Sequence, residues 1–383
     1  MTMKAKMDNK KIFWIAGENS GDLHASIVLK ELKEQFNNIQ NFGIGSEKMK
    51  SHGFKAIYPF ERFSVMGFIE VVKHLAFFAK VEKSIKHIFR NDPPDLVILV
   101  DYPGLNMRVA KMAKKFSIPV LYFIVPQFWA WKYKRIFKLQ KYTDHIAYIL
   151  PFEGNHFSKH NINASFVGHP ISEEIKVNLS REEFATKNDL DPNKRWLGFL
   201  PGSRDTELKK MLPEYIATIN SFEKDDHEFL ISQASSVSSK LFNELIEDTD
   251  KKIKILKDMN YEMMKHCNLL VVTSGTATIE TAFLGTPFII VYKTSNISYQ
   301  IGKRFIKIDK IGLPNIVIEK DIVPELIQDD VNGKNIHTKI TDILNDENKY
   351  NNISNELRAL HDILGSKTTS TEVTEIIRKM LDE

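Results

Sequence analysis

The chain has 383 residues, 43% of them hydrophobic, so it is long enough for two domains that each bury a core. Its single cysteine, Cys267, excludes a disulfide framework and a thiolate metal cage and favours a reducing compartment. The net charge of +4 comes from 53 basic and 49 acidic side chains, which is too balanced to indicate nucleic acid but allows a local basic face toward phosphates or anionic lipid.

The first ten residues are polar and lysine-rich, and no apolar core segment follows them. No apolar run of about 18 residues, the length that spans a bilayer, occurs anywhere in the sequence. We therefore expect neither a secretory signal nor a membrane span, and the sequence predicts a cytoplasmic protein.

Short apolar runs alternate with segments of helical spacing in both halves of the chain, which is typical of parallel strands covered on both faces. The first half contains "KIFWIAG", "NFGIG", "DLVILVD", "PVLYFIV" and "HIAYIL", and the second contains "RWLGFLPG", "HEFLISQA", "KIKIL", "CNLLVVTSG" and "TPFIIVYK". The sequence predicts two doubly wound α/β domains with parallel sheets. The predicted boundaries are an N-terminal domain over 1–175, a linker over 176–194, a second domain over 195–345, and C-terminal helices over 346–383 whose packing against the N-terminal domain stays open.

The loop after the first strand, "AGENSGDLHAS", is suited to binding hydroxyl groups. Gly17 and Gly21 bracket Glu18, Asn19 and Ser20, so a ligand can approach the backbone and meet donors and acceptors. We expect a sugar or an acylated sugar as the ligand of this loop. The alternative is that the loop residues only cap the following helix.

The segment "SVMGFIEVVKHLAFFAKVEKSIKHIFR" has helical spacing. We expect a buried stripe that includes Val65, Phe68 and Ala79, whereas Met66 and Phe77 fall outside it, close to lysines. Apolar side chains beside lysines suit a membrane interface or an acyl-chain pocket, and an unusually apolar core helix is the alternative. The predicted membrane or acyl contacts are Val65, Met66, Phe68, Phe77 and Phe78.

Asp101 stands at the end of the apolar run "DLVILVDYPGLN". A carboxylate at the tip of a buried strand is costly unless it is paired or reactive, so Asp101 is a candidate general base, and a helix cap is the alternative. The sequence has no second carboxylate at glycosidase spacing and no Asp-x-Asp or His-x-x-x-His pattern, so we expect a metal-free mechanism.

The segment "VPQFWAWKYKRIFK" interleaves Trp129 and Trp131 with basic side chains. Such interleaving occurs in proteins that stack single-stranded bases. The segment directly follows a predicted strand, however, so packing of the rings at a cleft floor is favoured, and no nucleic-acid partner is predicted.

The turn in "FLPGSRDTELKK" joins a strand to a helix through Gly202, Ser203 and Arg204. Gly202 allows a sharp turn, the helix N-terminus favours an anion, and Arg204 can form bidentate hydrogen bonds to two phosphate oxygens. An ordinary strand-to-helix turn with a solvated arginine is the alternative.

A second turn of this kind, "VTSGTATIE", places Ser274, Gly275 and Thr276 at the start of a helix. Glu280 follows about one and a half turns later, where its carboxylate can accept hydrogen bonds from ribose hydroxyls. Two such turns in one domain favour a nucleoside diphosphate, whereas the absence of P-loop and dinucleotide motifs argues against ATP hydrolysis and nicotinamide chemistry.

The ordered series "AGENSGDLHAS", "FSVMGFIEVV", "VDYPGLN", "VPQFWAW", "FVGHP", "LPGSR", "SGTATIE" and "LPN" closely resembles the lipid-A-disaccharide synthases. The resemblance runs from about residue 12 to about residue 327. It implies the GT-B fold of two facing Rossmann-like domains and an inverting transfer that uses no metal and no cofactor. The implied reaction joins UDP-2,3-diacylglucosamine to 2,3-diacylglucosamine 1-phosphate (lipid X), forming a β-1,6 disaccharide and UDP.

By the same resemblance, Asp101 is the catalytic aspartate, Arg204 a phosphate-binding arginine, Asn315 a further donor-side residue, and Gln127 an acceptor-side residue. The resemblance also implies peripheral attachment to the cytoplasmic face of the inner membrane, and it leaves open whether the chain forms a homodimer. The alternatives are another GT-B enzyme that acts on UDP-sugars, or a non-catalytic protein that binds nucleotide sugars or lipids.

Overall fold

The computed structural model describes residues 9–36, 38–63, 75–247, 249, 251–257, 259–295, 299 and 310–382. The chain forms two units, unit 1 from Met1–Glu173 with Gly365–Glu383 and unit 2 from Glu174–Leu364. The predicted class of two doubly wound α/β domains is confirmed, because each unit is built on its own parallel sheet.

Unit 1 contains a seven-stranded sheet in the order β3-β2-β1-β4-β5-β6-β7, in which every described pair is parallel. Its central strands β4 and β5 are apolar and buried at every residue, as expected where helices cover both faces of a sheet. The strands are β1 (Lys11–Ala16), β2 (Gln40–Ile44), β3 (Lys55–Ala56), β4 (Leu96–Val100), β5 (Val120–Phe123), β6 (His145–Tyr148) and β7 (Ala164–Phe166).

The helices of unit 1 connect these strands. They are α1 (Asn19–Gln35), α2 (Glu47–Lys50), a 3-10 turn (Phe60–Arg62), α3 (Leu75–Asn91), α4 (Pro103–Lys115), α5 (Phe128–Trp131), α6 (Arg135–Tyr142), α7 (Glu153–Lys159) and α8 (Ile171–Glu174), which ends at the first residue of unit 2. The last helix of the chain, α17 (Thr369–Asp382), also belongs to unit 1, where it packs on α1.

Unit 2 contains a six-stranded parallel sheet in the order β10-β9-β8-β11-β12-β13. Its strands are β8 (Arg195–Leu200), β9 (His227–Ser232), β10 (Ile253–Leu256), β11 (Leu269–Thr273), β12 (Phe288–Tyr292) and β13 (Glu325–Ile327). Its helices are α9 (Arg181–Asn188), α10 (Asp205–Asn220), α11 (Ser239–Ile246), α12 (Asn260–His266), α13 (Thr276–Leu284), α14 (Leu313–Ile318), α15 (Gly333–Leu344) and α16 (Glu347–Leu364).

The buried face of α3 differs from the predicted stripe. Ala79 is exposed, whereas Phe77 and Phe78 are buried in the core of unit 1, so the prediction that Phe77 lies outside the buried face is wrong. The ring of Phe77 packs edge-on against Phe63 at 5.2 Å, and the Arg62 guanidinium covers it at 4.1 Å.

The prediction placed Ala79 in the buried stripe, whereas the buried positions of α3 from Phe78 onward recur three or four residues apart, at Val81, Ile85 and Phe89. Val65, Met66 and Phe68, the other predicted membrane contacts, lie outside the described residues.

Candidate active site

Two predicted site segments of unit 1 lie next to each other because of the strand order. β1 and β4 are neighbours and Ala16 pairs with Val100, so the loop that starts at Gly17 and the tip at Asp101 leave the sheet side by side. This is the point where the order of strands reverses, at which doubly wound sheets bind their ligands. Glu18, Asn19 and Ser20 thus lie with Asp101 at the carboxyl ends of the strands, which we name the unit 1 edge.

The backbone at Asp101 adopts an unusual conformation. Asp101 and Tyr102 both have φ near 45°, in the left-handed region that side chains other than glycine rarely enter. The Asp101 carbonyl is held by the Asn106 side-chain amide at 2.7 Å and by the Tyr122 hydroxyl at 2.8 Å. Backbone strain that surrounding groups enforce in this way is characteristic of functional positions.

Gly17 has a packing requirement that brings the first loop close to Asp101. A Cβ atom at Gly17 would lie 2.5 Å from the ring of Tyr102, so only glycine lets that ring cover the loop. The Tyr102 hydroxyl in turn donates to the Phe63 carbonyl at 3.0 Å, which fixes the ring. Glu18 is therefore held within electrostatic reach of Asp101.

The electrostatic surroundings suit Asp101 for proton transfer. The pKa of Asp101 is raised from 3.8 to about 6, mainly by burial and secondly by the negative charge of Glu18, while His24 and the Tyr102 backbone act in the opposite direction. A carboxylate with a pKa near the working pH is ionised at neutral pH and still binds a proton well enough to act as a general base.

Gln127 lies at the next strand end of the same edge. It precedes α5 after β5, and its side chain is exposed. The neighbouring Trp129 indole donates to the Glu153 carboxylate at 3.1 Å, and burial raises the pKa of Glu153 to about 8. Glu153 was not singled out from the sequence, because its indole partner is 24 residues away and only the fold joins them.

In unit 2, the two predicted anion-binding turns share one cavity. β8 and β11 are neighbours and Leu200 pairs with Val272, so both turns leave the sheet at its reversal point. The cavity, of about 320 Å³, is lined by predicted and additional residues. They are Leu200, Gly202, Ser203, Arg204, Glu207, Ser232, Ala234, Asn260, Met264, Thr273, Ser274, Gly275, Thr276, Ala277 and Glu280.

The first turn depends on Gly202 and on a carboxylate that sequence reasoning did not single out. Gly202 has φ near 104°, and a Cβ atom there would lie 2.4 Å from Glu207 Oε2. Glu207 accepts a hydrogen bond from the Ser203 N–H at 3.0 Å and from Arg204 Nη1 at 2.8 Å. The signal for Glu207 was its place in the first turn of a helix, where a carboxylate commonly binds backbone N–H groups.

Arg204 is the exposed cation of this cavity. Its side chain is 55% exposed, so its guanidinium can turn from Glu207 toward a ligand. Because the Glu207 carboxylate binds the same N–H group and guanidinium that a phosphate would use, it marks the place of an anion at the start of α10.

The second turn carries the start of α13 and Glu280. Gly275 precedes this helix and caps it with no side chain, and the Thr278 N–H donates to the Gly275 carbonyl at 3.1 Å. The N–H groups of Thr276 and Ala277 precede the first intrahelical bonds, at the positive end of the helix dipole. Glu280 accepts a hydrogen bond from the Tyr261 hydroxyl at 3.3 Å, which holds its carboxylate at the cavity wall. Burial raises the pKa of the Tyr261 hydroxyl, with the Glu280 charge as the second cause, so the tyrosine stays a donor.

Asn315 does not line this cavity, in contrast to the other predicted nucleotide-binding residues. It is fully buried, and its amide nitrogen donates to the Val323 carbonyl at 2.9 Å and to Glu325 Oε1 at 2.8 Å. Its amide oxygen accepts from the N–H groups of Ile322 at 2.9 Å and Val323 at 3.0 Å. These four bonds use the full capacity of the amide, so its side chain has none left for a ligand.

Asn315 is nevertheless connected to the cavity through Glu325. The Glu325 carboxylate also accepts from the N–H groups of Ile311 at 2.9 Å and Gly312 at 3.0 Å. The Ile311 carbonyl accepts in turn from the Ser274 hydroxyl at 3.4 Å. Asn315 and Glu325 thus fix the backbone that contacts the second turn, which is a positioning arrangement.

Among the described residues, no group of three or more His, Cys, Asp or Glu side chains is arranged to hold a metal ion. In the same part of the chain, no helix combines the length and apolar character that crossing a bilayer requires.

The family comparison covers nearly the whole chain. A family model described as lipid-A-disaccharide synthetase matches residues 12–379. The lipid-A-disaccharide synthase of Geobacter metallireducens is 35% identical over 376 residues, which cover 97% of this chain and 98% of the relative. That of Sulfurihydrogenibium sp. is 36% identical over 395 residues, with 98% and 99% covered.

Solved structures of similar fold are more distant in sequence. The calicheamicin glycosyltransferase CalG4 superposes with a TM-score of 0.65 at 12% identity, covering 98% of this chain and 99% of that one. A putative UDP-N-acetylglucosamine 2-epimerase from Listeria monocytogenes reaches 0.66 at 11% identity, with 97% and 96% covered. At these identities the likeness concerns the fold alone, which is GT-B.

Proposed function

Because the chain belongs to the lipid-A-disaccharide synthase family, we propose that Asp101 and the unit 2 cavity carry out its glycosyl transfer. The protein is a GT-B glycosyltransferase of lipid A biosynthesis. It joins UDP-2,3-diacylglucosamine to 2,3-diacylglucosamine 1-phosphate, giving the β-1,6 disaccharide and UDP, as membership of this family implies.

One observation supports the proposed UDP site more than any other. Two turns 70 residues apart in sequence, at Gly202 to Arg204 and at Ser274 to Thr276, line one cavity together with Glu280. The start of a helix, a guanidinium and a carboxylate are the groups that bind a diphosphate and a ribose. We assign the diphosphate to the two turns and the ribose hydroxyls to Glu280.

In the proposed mechanism Asp101 accepts the proton of the acceptor 6-hydroxyl as its oxygen attacks the anomeric carbon of the donor. The bond from that carbon to the UDP oxygen breaks on the opposite face, so the configuration inverts. Arg204 and the start of α13 stabilise the negative charge that develops on the diphosphate. General-base catalysis of this kind contributes about 10²- to 10⁴-fold in rate.

The acceptor is assigned to the unit 1 edge, where Glu18, Asn19, Ser20 and Gln127 can bind its hydroxyl groups. We propose a reaction without a metal, since Arg204 and the helix start supply the positive potential at the leaving group. Both substrates carry acyl chains, so we also propose that the protein works on the cytoplasmic face of the inner membrane as a peripheral protein.

The function is tested by incubating the protein with both substrates and measuring UDP release. We expect release only when both are present, no loss after chelation with EDTA, and a loss of at least about 100-fold in Asp101→Asn. Glu34→Gln, which neutralises an exposed carboxylate on α1, is the matched control and should keep full activity.

Two other outcomes point to different functions. UDP binding without turnover would identify a nucleotide-sugar binding protein. Conversion of the donor sugar without consumption of the acceptor would identify an epimerase, which is a function found among the proteins of similar fold.

A further inference from the structure

The segment over 128–143, which overlaps the run "VPQFWAWKYKRIFK", carries charge of only one sign. It contains four lysines and one arginine and no acidic residue, so its charge of +5 exceeds the net charge of +4 of the whole chain. The remainder of the protein therefore has a net charge close to zero.

Most of these basic side chains are exposed in the folded chain. Helix α6 buries Ile136 and Leu139, which anchor it to the core of unit 1. The opposite side is exposed, and we name it the α6 face. It consists of Tyr133, Lys134, Phe137, Lys138 and Lys141.

Two large apolar rings lie among these lysines. Phe137 is 51% exposed and Tyr133 is 39% exposed, and among the described residues only two other large hydrophobic side chains are comparably exposed, both of them in unit 2. Phe137 lies three residues after Lys134 and four before Lys141, so the three side chains occupy one side of the helix. An exposed ring retains apolar surface that burial in an interface would remove from water.

The lysines of this face are available for an external partner. Neither Lys134 nor Lys138 forms an ion pair with a described residue, whereas Lys114 of α4 pairs with Asp144 at 2.5 Å. Surface cations without acidic neighbours attract anions from solution, and their long stems can lie along an apolar surface.

We propose that the α6 face docks unit 1 on a lipid bilayer that contains anionic headgroups, with Phe137 and Tyr133 at the interface and the lysines at the phosphates. Basic side chains around exposed aromatic rings on a short amphipathic helix are the combination that binds such surfaces. The choice of a bilayer rests on the proposed function, in which both substrates are acylated.

A single-stranded nucleic acid fits this face less well. Stacking of successive bases needs several free ring faces. The Tyr133 hydroxyl is bonded to His160 at 3.2 Å, and its ring packs against His156 and Phe128, so Phe137 is the main exposed ring. Shallow burial in a headgroup layer needs only one or two rings with lysines beside them.

The experiment is flotation of the full chain with phosphatidylcholine vesicles, prepared with or without phosphatidylglycerol. We expect the wild type to bind the anionic vesicles and to bind the neutral ones only weakly. Lys134→Glu/Lys138→Glu should weaken binding to anionic vesicles by at least about 10-fold, and Phe137→Ser should weaken it by about 5- to 10-fold.

Two controls make comparable changes of charge and of exposed apolar surface elsewhere. Lys111→Glu/Lys115→Glu reverses two exposed charges on α4, and Ile255→Ser removes an exposed apolar side chain from unit 2. Both should bind vesicles like the wild type. Equal loss in the α4 control would show that net charge alone drives binding, and unchanged binding of both α6 variants would overturn the proposal.

Further measurements separate this proposal from the proposed function and from nucleic acid. In detergent micelles that present both substrates, the α6 variants should release UDP at the wild-type rate, whereas on vesicle-embedded substrates they should be slower. Absence of wild-type turnover in micelles would contradict the proposed function and leave the vesicle result standing. A single-stranded oligonucleotide is the test for nucleic acid. If it displaced the wild type from anionic vesicles, and if the wild type bound it tightly while the α6 variants did not, a nucleic-acid partner would be favoured instead.

Discussion

Asp101→Asn is expected to make the protein inactive and more stable at neutral pH. In the folded chain, burial and the negative charge of Glu18 destabilise the ionised form of the Asp101 carboxyl group. An asparagine has nearly the same shape and carries no charge. The substitution therefore removes an electrostatic cost that the proposed base imposes on unit 1.

The magnitude follows from the pKa. The pKa of Asp101 is about 6 in the folded chain, against an ordinary value of 3.8, which corresponds to about 3 kcal/mol of lost stability when the group is fully ionised. Because the folded-state pKa is raised, this loss is absent below about pH 3.8, grows as pH rises, and is complete above about pH 6. The side chain is partly exposed, so 3 kcal/mol is an upper limit, and we expect about 1 to 3 kcal/mol at pH 7.5.

The assay is urea unfolding followed by tryptophan fluorescence in a Trp196→Phe background. Trp196 is the only one of the four tryptophans in unit 2, so the remaining three, Trp14, Trp129 and Trp131, report on unit 1. Unfolding free energies of Asp101→Asn and its parent are compared at about pH 4.5 and pH 7.5. The advantage of the variant should be larger at pH 7.5 by about 1 to 2 kcal/mol.

Glu34→Gln is the control, since it neutralises an exposed carboxylate of the same unit and should change stability by less than about 0.5 kcal/mol at either pH. An advantage of Asp101→Asn that is independent of pH, or a loss of stability at pH 7.5, would refute the reasoning that this carboxylate is held in an unfavourable environment.

Three further predictions concern activity and binding. The kcat/KM should rise with pH through about 6 as Asp101 ionises, and Glu18→Gln should move this limb to lower pH because a like charge is removed; a limb that stays in place would exclude Glu18 as a cause. Arg204→Lys should weaken UDP binding by about 10- to 100-fold in calorimetry, since an ammonium group cannot form bidentate hydrogen bonds to the diphosphate. Unchanged affinity would show that Arg204 does not belong to the diphosphate site. Glu325→Ala should raise the KM for the donor by a larger factor than it lowers kcat, several-fold larger. The reason is that Asn315 and the backbone that contacts the second turn lose a shared hydrogen-bond partner. An equal fall in kcat at unchanged KM would contradict a positioning role.

The fold was predictable because the strands are buried on both faces. Continuous apolar runs such as those of β4 and β11 are typical of strands covered on both faces, and the helical segments between them indicate parallel crossovers. The strand order then follows the common doubly wound pattern, which places Asp101 beside the first loop and Arg204 beside the second turn.

Features that depend on contacts between distant segments were not predictable. Glu153 is buried against Trp129, and Tyr261 is bonded to Glu280 from another helix, so no local pattern marks either of them. Sequence resemblance indicated Asn315 as a site residue, but only the fold shows that its amide is fully used by neighbouring backbone and by Glu325.

The most direct test of the account is a crystal structure of the protein with UDP. The account predicts the diphosphate within hydrogen-bonding distance of the Arg204 guanidinium and the first N–H groups of α13, with the ribose hydroxyls on the Glu280 carboxylate. UDP bound away from the cavity shared by these turns, or bound there with Arg204 still paired only to Glu207, would contradict it.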